Sequence, residues 1–223
     1  MSADAQHPFD ETERNAVYRA IALRRDTRHF KPGQVLPEDQ LQRLLEAMHQ
    51  APSVGLMQPW RLLRISAEGL RAQIVSVVEA ERQATAAALG ARSDEFLRLK
   101  VEGLRDCAEL LAIVLPPDDG TVFGRRSMPR EMAIASLGCA VQNLWLAARA
   151  ENLGLGWVSM FEPRQLAALL RLPEGAQPLG LLSLGPVDSF YEAPMLELED
   201  WRQRRPLDEL LMNDSWSEQK DGN

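Results

Sequence analysis

The chain has little of what several classes of protein require. Its 223 residues include only two cysteines and three histidines. Cys107 and Cys139 are too few for a disulfide framework, and we expect both to be reduced thiols in apolar surroundings. His7, His29 and His49 have no metal-ligand spacing with each other or with the cysteines. The sequence therefore predicts no metal site.

Excess positive charge and long apolar runs are also lacking. The formal net charge of −7 argues against non-specific nucleic-acid binding, which needs a positive surface. The longest apolar runs, such as "LLAIVLPP", are too short to span a bilayer, and the acidic N-terminus does not look like a signal peptide. We expect a cytoplasmic protein that binds neither nucleic acid nor membrane.

Hydrophobic periodicity predicts a mixed order of helices and strands. Helices are expected at 11–25, from Pro37, within 66–105 with a break at "LGARSD", at 131–152 and from Pro163. Strands are expected at "WRLLRI", "LLAIVLP", "LGLGWVSMF" and "PLGLLSLGPV". This order indicates an α+β, three-layer protein rather than regular βαβ winding. We expect a single domain over 1–223, with a polar tail at about 1–12 and an extended arm at about 188–223.

The helix predicted at 131–152 is apolar on more than one side. Its main stripe consists of Ile134, Leu137, Val141, Leu144, Trp145 and Ala148. Further apolar residues lie outside that stripe, which is typical of a central or subunit-interface helix.

Common catalytic signatures are missing. "GLGWVSMF" supplies only two glycines of a dinucleotide-binding fingerprint and continues into strand-like residues. No phosphate-binding G-x-x-x-x-G-K-[ST] loop and no G-x-S-x-G nucleophile elbow occurs.

Four short polar stretches remain, at segment boundaries: "RRDTRHF", "APSVGLMQPWR", "GLGWVS" and "WRQRRPL". Arginine forks bind phosphate, small residues admit backbone donors, and "QPW" adds an amide and an aromatic wall. Together they suit a phosphorylated, flat heteroaromatic ligand. Each also has an ordinary explanation: a solvated helix end at Arg24–Arg28, a turn at Ser53, a core Trp60, and a surface pair Arg204 and Arg205.

The four stretches in this order resemble the nitroreductase-like FMN flavoproteins, from about Val17 to Leu210. The resemblance implies a three-layer sandwich with an antiparallel or mixed sheet flanked by helices, in an interlocked homodimer. It also implies FMN at the dimer interface. The implied phosphate ligands are Arg24, Arg28 and Arg204, with Arg25 and Arg202 as helpers; Thr27, Ser53, Met57, Gly156 and Ser159 complete the implied cofactor site.

Two departures point to a subgroup. Asp26 stands where common nitroreductases have serine, and Leu56 stands where many have asparagine. An aspartate in "RRDTR" with "QNLWLAARAE" and "GLGWVS" resembles the 5,6-dimethylbenzimidazole synthase (BluB) family. That resemblance implies oxygen-dependent fragmentation of reduced FMN to 5,6-dimethylbenzimidazole, the lower ligand of cobalamin, and D-erythrose 4-phosphate.

The implied reaction removes a proton from the ribityl C1′ and so needs a base. Asp26 is the candidate, with Ser159 as a second catalytic residue that hydrogen-bonds the flavin or an oxygen species. Flanking arginines favour ionised Asp26 and burial disfavours it; the sequence leaves that balance open. The substrates would be FMNH2 and dioxygen, and a separate flavin reductase is one candidate partner. Two other functions stay open: an NAD(P)H-dependent nitro- or flavin reductase, and a non-catalytic flavin-binding protein.

Overall fold

A computed structural model of the chain describes residues 7–99, 103–120, 122–123, 126–127 and 129–216. The chain divides into two compact units, Met1–Phe190 and Tyr191–Asn223. The predicted arm at 188–223 starts close to this boundary, and the single-domain assignment stays a prediction. The first part of the predicted tail and the end of the arm lie outside the described residues.

The helices follow the apolar periodicity of the sequence. α1 begins with a capping box, in which the Asp10 side chain accepts a hydrogen bond from the Glu13 amide and the Glu13 carboxylate accepts one from the Asp10 amide. The helix predicted within 66–105 breaks near the expected place, since α3 is followed by a 3₁₀ turn at Gly90–Arg92 and then by α4. The helices of the first unit are α1 Glu11–Leu23, α2 Glu38–His49, α3 Glu68–Ala88, α4 Ser93–Arg98, α5 Gly103–Asp106, α6 Arg130–Ala150 and α7 Pro163–Leu169.

The four predicted strands form one antiparallel sheet. They are β1 Arg61–Arg64, β2 Glu109–Leu115, β5 Gly154–Val158 and β6 Gln177–Gly185, in the order β1-β2-β6-β5. β5 is therefore an edge strand. Two-residue strands, β3 Val122–Phe123 and β4 Arg126–Ser127, pair in a stretch where the sequence indicated only a loop.

Helices cover both faces of this sheet. Successive residues of β2 alternate between two cores: Leu111 and Ile113 pack with residues of α2 and α6, whereas Leu110 and Ala112 pack with residues of α3 and α7. Layers of helix, sheet and helix result, and the predicted α+β fold class is confirmed.

The N-terminal half of α6 departs from the expected burial. Leu137, Val141 and Leu144 are buried as predicted, but Ile134 is 38% exposed and Met132 39% exposed. Cys107 is buried, whereas Cys139 lies exposed on this helix. The predicted apolar stripe is therefore buried at Leu137, Val141 and Leu144 but not at Ile134.

The second unit contains the short helix α8 Met195–Leu198 and a 3₁₀ turn at Leu207–Glu209. Across the described part of the chain, no helix combines the length and apolarity needed to cross a bilayer.

Candidate active site

The Arg24–Arg28 segment lies along the edge strand β5. After α1 the chain is extended: Asp26 forms a parallel bridge with Leu155, and the Thr27 amide donates to the Leu155 carbonyl at 3.0 Å. Gly156 permits this approach, because a Cβ at that position would lie 2.2 Å from the Thr27 carbonyl oxygen. The "GLG" of β5 thus allows the backbone of the arginine motif to pack directly against this strand.

The Asp26 carboxylate is fixed by two contacts with its neighbours. Its Oδ1 accepts the Trp157 amide at 2.9 Å, and its Oδ2 lies 2.6 Å from Nη2 of Arg28. The same Nη2 donates to the Trp157 carbonyl at 2.8 Å. Asp26, Arg28 and the backbone of Trp157 therefore form a closed ring of polar contacts.

The ring is asymmetrically exposed. The Arg28 side chain is 13% exposed and the Asp26 side chain 34% exposed. The carboxylate is held on one side by protein and remains accessible on the other. A carboxylate with this arrangement can accept a proton from a bound molecule.

Opposing effects act on the protonation of Asp26. Burial raises the pKa of its carboxyl above the usual value. The Arg28 guanidinium, the Trp157 amide and the Arg24 guanidinium act in the opposite direction and hold that pKa down. Arg28 is the largest of these opposing influences, so the charge of Asp26 depends on it.

The three arginines of the motif have different surroundings. Arg25 donates from Nη1 to the carbonyls of Ala22 and Arg24, both at 2.8 Å. Arg24 places its Cζ 4.7 Å from the centroid of the Trp145 ring. Within the described residues, the buried Nε of Arg28 has no hydrogen-bond partner. A buried donor without an acceptor is a feature that a bound ligand would satisfy.

Trp145 is a site residue that the sequence did not reveal. The helical pattern placed it in the apolar stripe of α6, but its indole N–H donates to the carbonyls of Arg25 and Leu155, at 3.0 and 2.9 Å. The only sequence signal was chemical, since a buried tryptophan needs an acceptor for its N–H.

The "APSVGLMQPW" stretch forms a strained loop. The amide of Gln58 donates to the Ser53 hydroxyl at 3.0 Å, which closes the turn. Gly55, Leu56 and Gln58 all have positive φ, at 57°, 54° and 47°. Such conformations are costly for leucine and glutamine and cluster at functional sites. Met57 is half-buried in this loop.

Two side chains anchor that loop to the protein. Ser136 of α6 accepts the Val54 amide at 3.1 Å and donates to the Met132 carbonyl at 2.7 Å. Trp60 is 8% exposed in the core, with its indole nitrogen 3.4 Å from Nδ1 of His49. The core interpretation of Trp60 is thus confirmed, and Ser136 is a second residue that sequence reasoning missed.

The Ser53 loop and the arginine segment contact α6 at different positions along its length. Ser136 holds the Ser53 loop, whereas Trp145 holds the arginine segment. Nine helical residues separate these anchors, which corresponds to roughly 13 Å along the axis. The Ser53 loop and the arginine segment are therefore attached to different turns of this helix.

The remaining predicted residues fall into two places. Ser159 is exposed and lies two residues beyond Trp157, directly after β5. Arg202 and Arg204 belong to the second unit, where both are exposed and Arg204 Nε lies 3.3 Å from Glu197 Oε1. Among the described residues, no three His, Cys, Asp or Glu side chains cluster so that they could hold a metal ion.

The fold and these motifs have known counterparts. A sequence profile described as the Nitroreductase family matches residues 21–186, a range that includes Arg24–Arg28, the Ser53 loop and β5. The chain belongs to the nitroreductase family. Solved structures of the family agree in fold: a BluB-like flavoprotein from Clostridium difficile superposes with a TM-score of 0.69 at 17% identity, covering 89% of this chain and 99% of that one.

Similarity within the family also confirms the predicted subgroup. A 5,6-dimethylbenzimidazole synthase from Rhodobacter capsulatus is 35% identical over 90% of this chain and 97% of its own length. One from Rhodospirillum rubrum is 37% identical over 89% of this chain and 94% of its own length. Iodotyrosine deiodinase, solved bound to FMN and 3-iodo-L-tyrosine, shares the nitroreductase fold with a TM-score of 0.69 at 23% identity, covering 90% of this chain and 100% of that one.

Proposed function

We propose that this chain catalyses the oxygen-dependent fragmentation of reduced FMN to 5,6-dimethylbenzimidazole and D-erythrose 4-phosphate. The observation that carries the proposal is the Asp26 carboxylate, fixed between the Trp157 amide and Arg28 with one side accessible. Common nitroreductases have serine at this position. Similarity to named synthases over about nine-tenths of the chain supports the assignment.

The polar residues fit a flavin mononucleotide. Arg24 and Arg28 belong to the segment that runs along β5, and the Nε of Arg28, which has no partner among the described residues, is a donor for a ligand acceptor. We assign the phosphate to Arg24 and Arg28, with Arg25 as a helper; the roles expected of Arg202 and Arg204 stay predictions. The flavin ring system is assigned to the backbone at Thr27 and Gly156 and to the side chains of Ser53, Met57 and Ser159.

When bound in its reduced form, the flavin supplies the electrons that activate dioxygen. Asp26 takes the proton from the ribityl C1′ onto its carboxylate, for which it must be ionised. Arg28 and the Trp157 amide favour that ionised form, whereas burial opposes it. Ser159, directly after β5, is assigned as the second catalytic residue, whose hydroxyl hydrogen-bonds the flavin or an oxygen species.

A homodimer completes the proposed site. We assign the site to two chains, with the loop of one protomer beside the arginines of the other. The exposed apolar residues of α1 and α6 support the same assembly.

The test is to incubate the purified protein with FMN, a chemical reductant and air, and to identify the products by mass spectrometry. We expect 5,6-dimethylbenzimidazole to accumulate as FMN is consumed. A second incubation replaces the chemical reductant with NAD(P)H. Oxidation of NAD(P)H with FMN left intact would instead indicate a reductase, and bound FMN without turnover in either incubation would indicate a binding protein. The proposal also needs a supply of reduced FMN, which a separate flavin reductase would provide.

A further inference from the structure

Trp145 joins three parts of the protein at the proposed flavin site. From α6, its indole N–H reaches the carbonyls of Arg25 and Leu155. Its ring lies against the guanidinium of Arg24, with Cζ 4.7 Å from the centroid. The Leu155 carbonyl also accepts the Thr27 amide. One side chain thus holds helix, arginine segment and edge strand together.

These contacts fix the orientation of the ring and of the arginine. An indole has a single N–H donor, and sharing it between two carbonyls leaves the ring little freedom to turn. A guanidinium packed on the face of an aromatic ring keeps its N–H donors in its own plane, pointing past the ring edge. That geometry is the one in which an arginine binds two phosphate oxygens.

We infer that Trp145 is a positioning residue for phosphate recognition, acting through Arg24. The inference rests on the proposed function, because it assumes that Arg24 binds the FMN phosphate. It assigns Trp145 a share in distinguishing FMN from riboflavin, which differ only in that phosphate. Replacing a tryptophan that only filled the core would change the affinities for FMN and riboflavin equally.

The experiment compares Trp145→Phe, which keeps a ring but lacks the N–H, with Trp145→Leu, which lacks both. Dissociation constants for FMN and for riboflavin are measured by quenching of flavin fluorescence, with thermal unfolding as a check on folding. We expect FMN affinity to fall about three- to tenfold in Trp145→Phe and further in Trp145→Leu, from lost hydrogen bonds and then lost ring contact. Riboflavin affinity should not change.

Trp60→Phe is the matched control. Trp60 is also an N–H donor, to His49, but it is buried in the core and follows the Ser53 loop rather than holding the arginine segment. This change should lower the melting temperature without altering the ratio of the two dissociation constants. A further check uses Arg24→Ala, in which the Trp145→Leu change should cause no additional loss of FMN affinity.

The outcomes separate the inference from the function on which it rests. Wild-type protein that binds FMN no more tightly than riboflavin would overturn the phosphate assignment to Arg24 and the inference together. The inference alone would be overturned if both Trp145 variants kept the wild-type preference for FMN over riboflavin. It would also be overturned if they lost affinity for both flavins equally.

Discussion

At the scale of single residues, the structure turns on the pair formed by Asp26 and Arg28. The two side chains are 2.6 Å apart, and Arg28 is held in place by the Trp157 carbonyl. Burial raises the pKa of the Asp26 carboxyl, and Arg28 is the main influence that lowers it again. If Asp26 is the base, catalysis requires its ionised form and therefore rises with pH through this pKa.

Removing the charge of Arg28 should move that dependence. In Arg28→Gln the largest opposing influence on the raised pKa is lost, so the pKa of Asp26 rises further. We expect the acid limb of the rate of product formation, at saturating reduced FMN, to shift to higher pH. Arg28→Lys, which keeps the charge, should shift it less. An acid limb that stays in place in Arg28→Gln would show that Arg28 does not control this carboxylate.

Leu56 is a residue whose backbone conformation conflicts with its side chain. Its φ is 54° and its side chain is 77% exposed, so it gains little from burial while adopting a left-handed conformation. Asparagine tolerates this conformation better, which gives a physical reason for its occurrence at this position in many nitroreductases.

Leu56→Asn should therefore stabilise the protein. We expect the free energy of unfolding to increase by about 1 kcal/mol, measured by urea denaturation. The matched control is Val35→Asn, an apolar-to-asparagine change at a residue that is 81% exposed and has no positive φ. The control should change stability by less than about 0.5 kcal/mol. Equal effects at both positions would argue against strain at Leu56.

At the scale of elements, the site depends on how closely the Arg24–Arg28 segment approaches β5. In Gly156→Ala the new Cβ would lie 2.2 Å from the Thr27 carbonyl oxygen, a backbone atom that cannot move without its segment. We expect a loss of about 1–3 kcal/mol in the free energy of unfolding and weaker FMN binding.

Gly69→Ala is the control for that substitution. No atom lies within 4 Å of a Cβ added at Gly69, in the first turn of α3. The change should be neutral or stabilising, by up to about 1 kcal/mol. The close-approach explanation fails if Gly156→Ala unfolds and binds FMN as the wild type does.

The local sequence pattern was sufficient to predict the helices and strands, but it was insufficient to predict the contacts between them. The bounds of α6 and of the β2 strand follow from apolar periodicity and were predicted to within about two residues. The two-residue strands β3 and β4 have too few positions to show any period. The end of α1 at Leu23, two residues early, depends on pairing with β5, which lies far away in sequence.

The site was predictable where chemistry is carried by residue type. Arginines and an aspartate in one short motif marked the segment that the structure places against β5. Trp145 and Ser136 escaped notice because they act through hydrogen bonds to residues 120 and 82 positions away. No local pattern contains such contacts, and the strain at Leu56 is a property of the loop that Ser53 closes.

At the scale of the whole molecule, α1 carries several exposed apolar side chains. α1 has no buried residue, and Val17, Tyr18 and Ile21 are 48%, 64% and 48% exposed. Surfaces of this kind mark interaction sites. We propose that a second copy of the chain covers them, which also brings the two motifs of α6 into one site.

The corresponding variant is Ile21→Glu. We expect the wild type to sediment at twice the mass of the chain, and Ile21→Glu to shift toward monomer because a charge enters an apolar interface. The affinity for FMN should fall as the dimer is lost, since the site needs both chains. Val35→Glu, at an exposed residue outside α1, should remain dimeric. A wild type that sediments as a monomer and still binds FMN would contradict the shared site.

The central claim is that Asp26 converts a flavin-binding protein into one that breaks its flavin down. The most direct measurement compares wild type with Asp26→Asn, which keeps the size and polarity of the side chain but lacks its basicity. Both proteins are loaded with reduced FMN and exposed to air, and 5,6-dimethylbenzimidazole is quantified by mass spectrometry alongside the dissociation constant for FMN. We expect near-wild-type FMN binding by Asp26→Asn with product reduced at least about a hundredfold, the range of general base catalysis. Product formation by Asp26→Asn at the wild-type rate would contradict the claim.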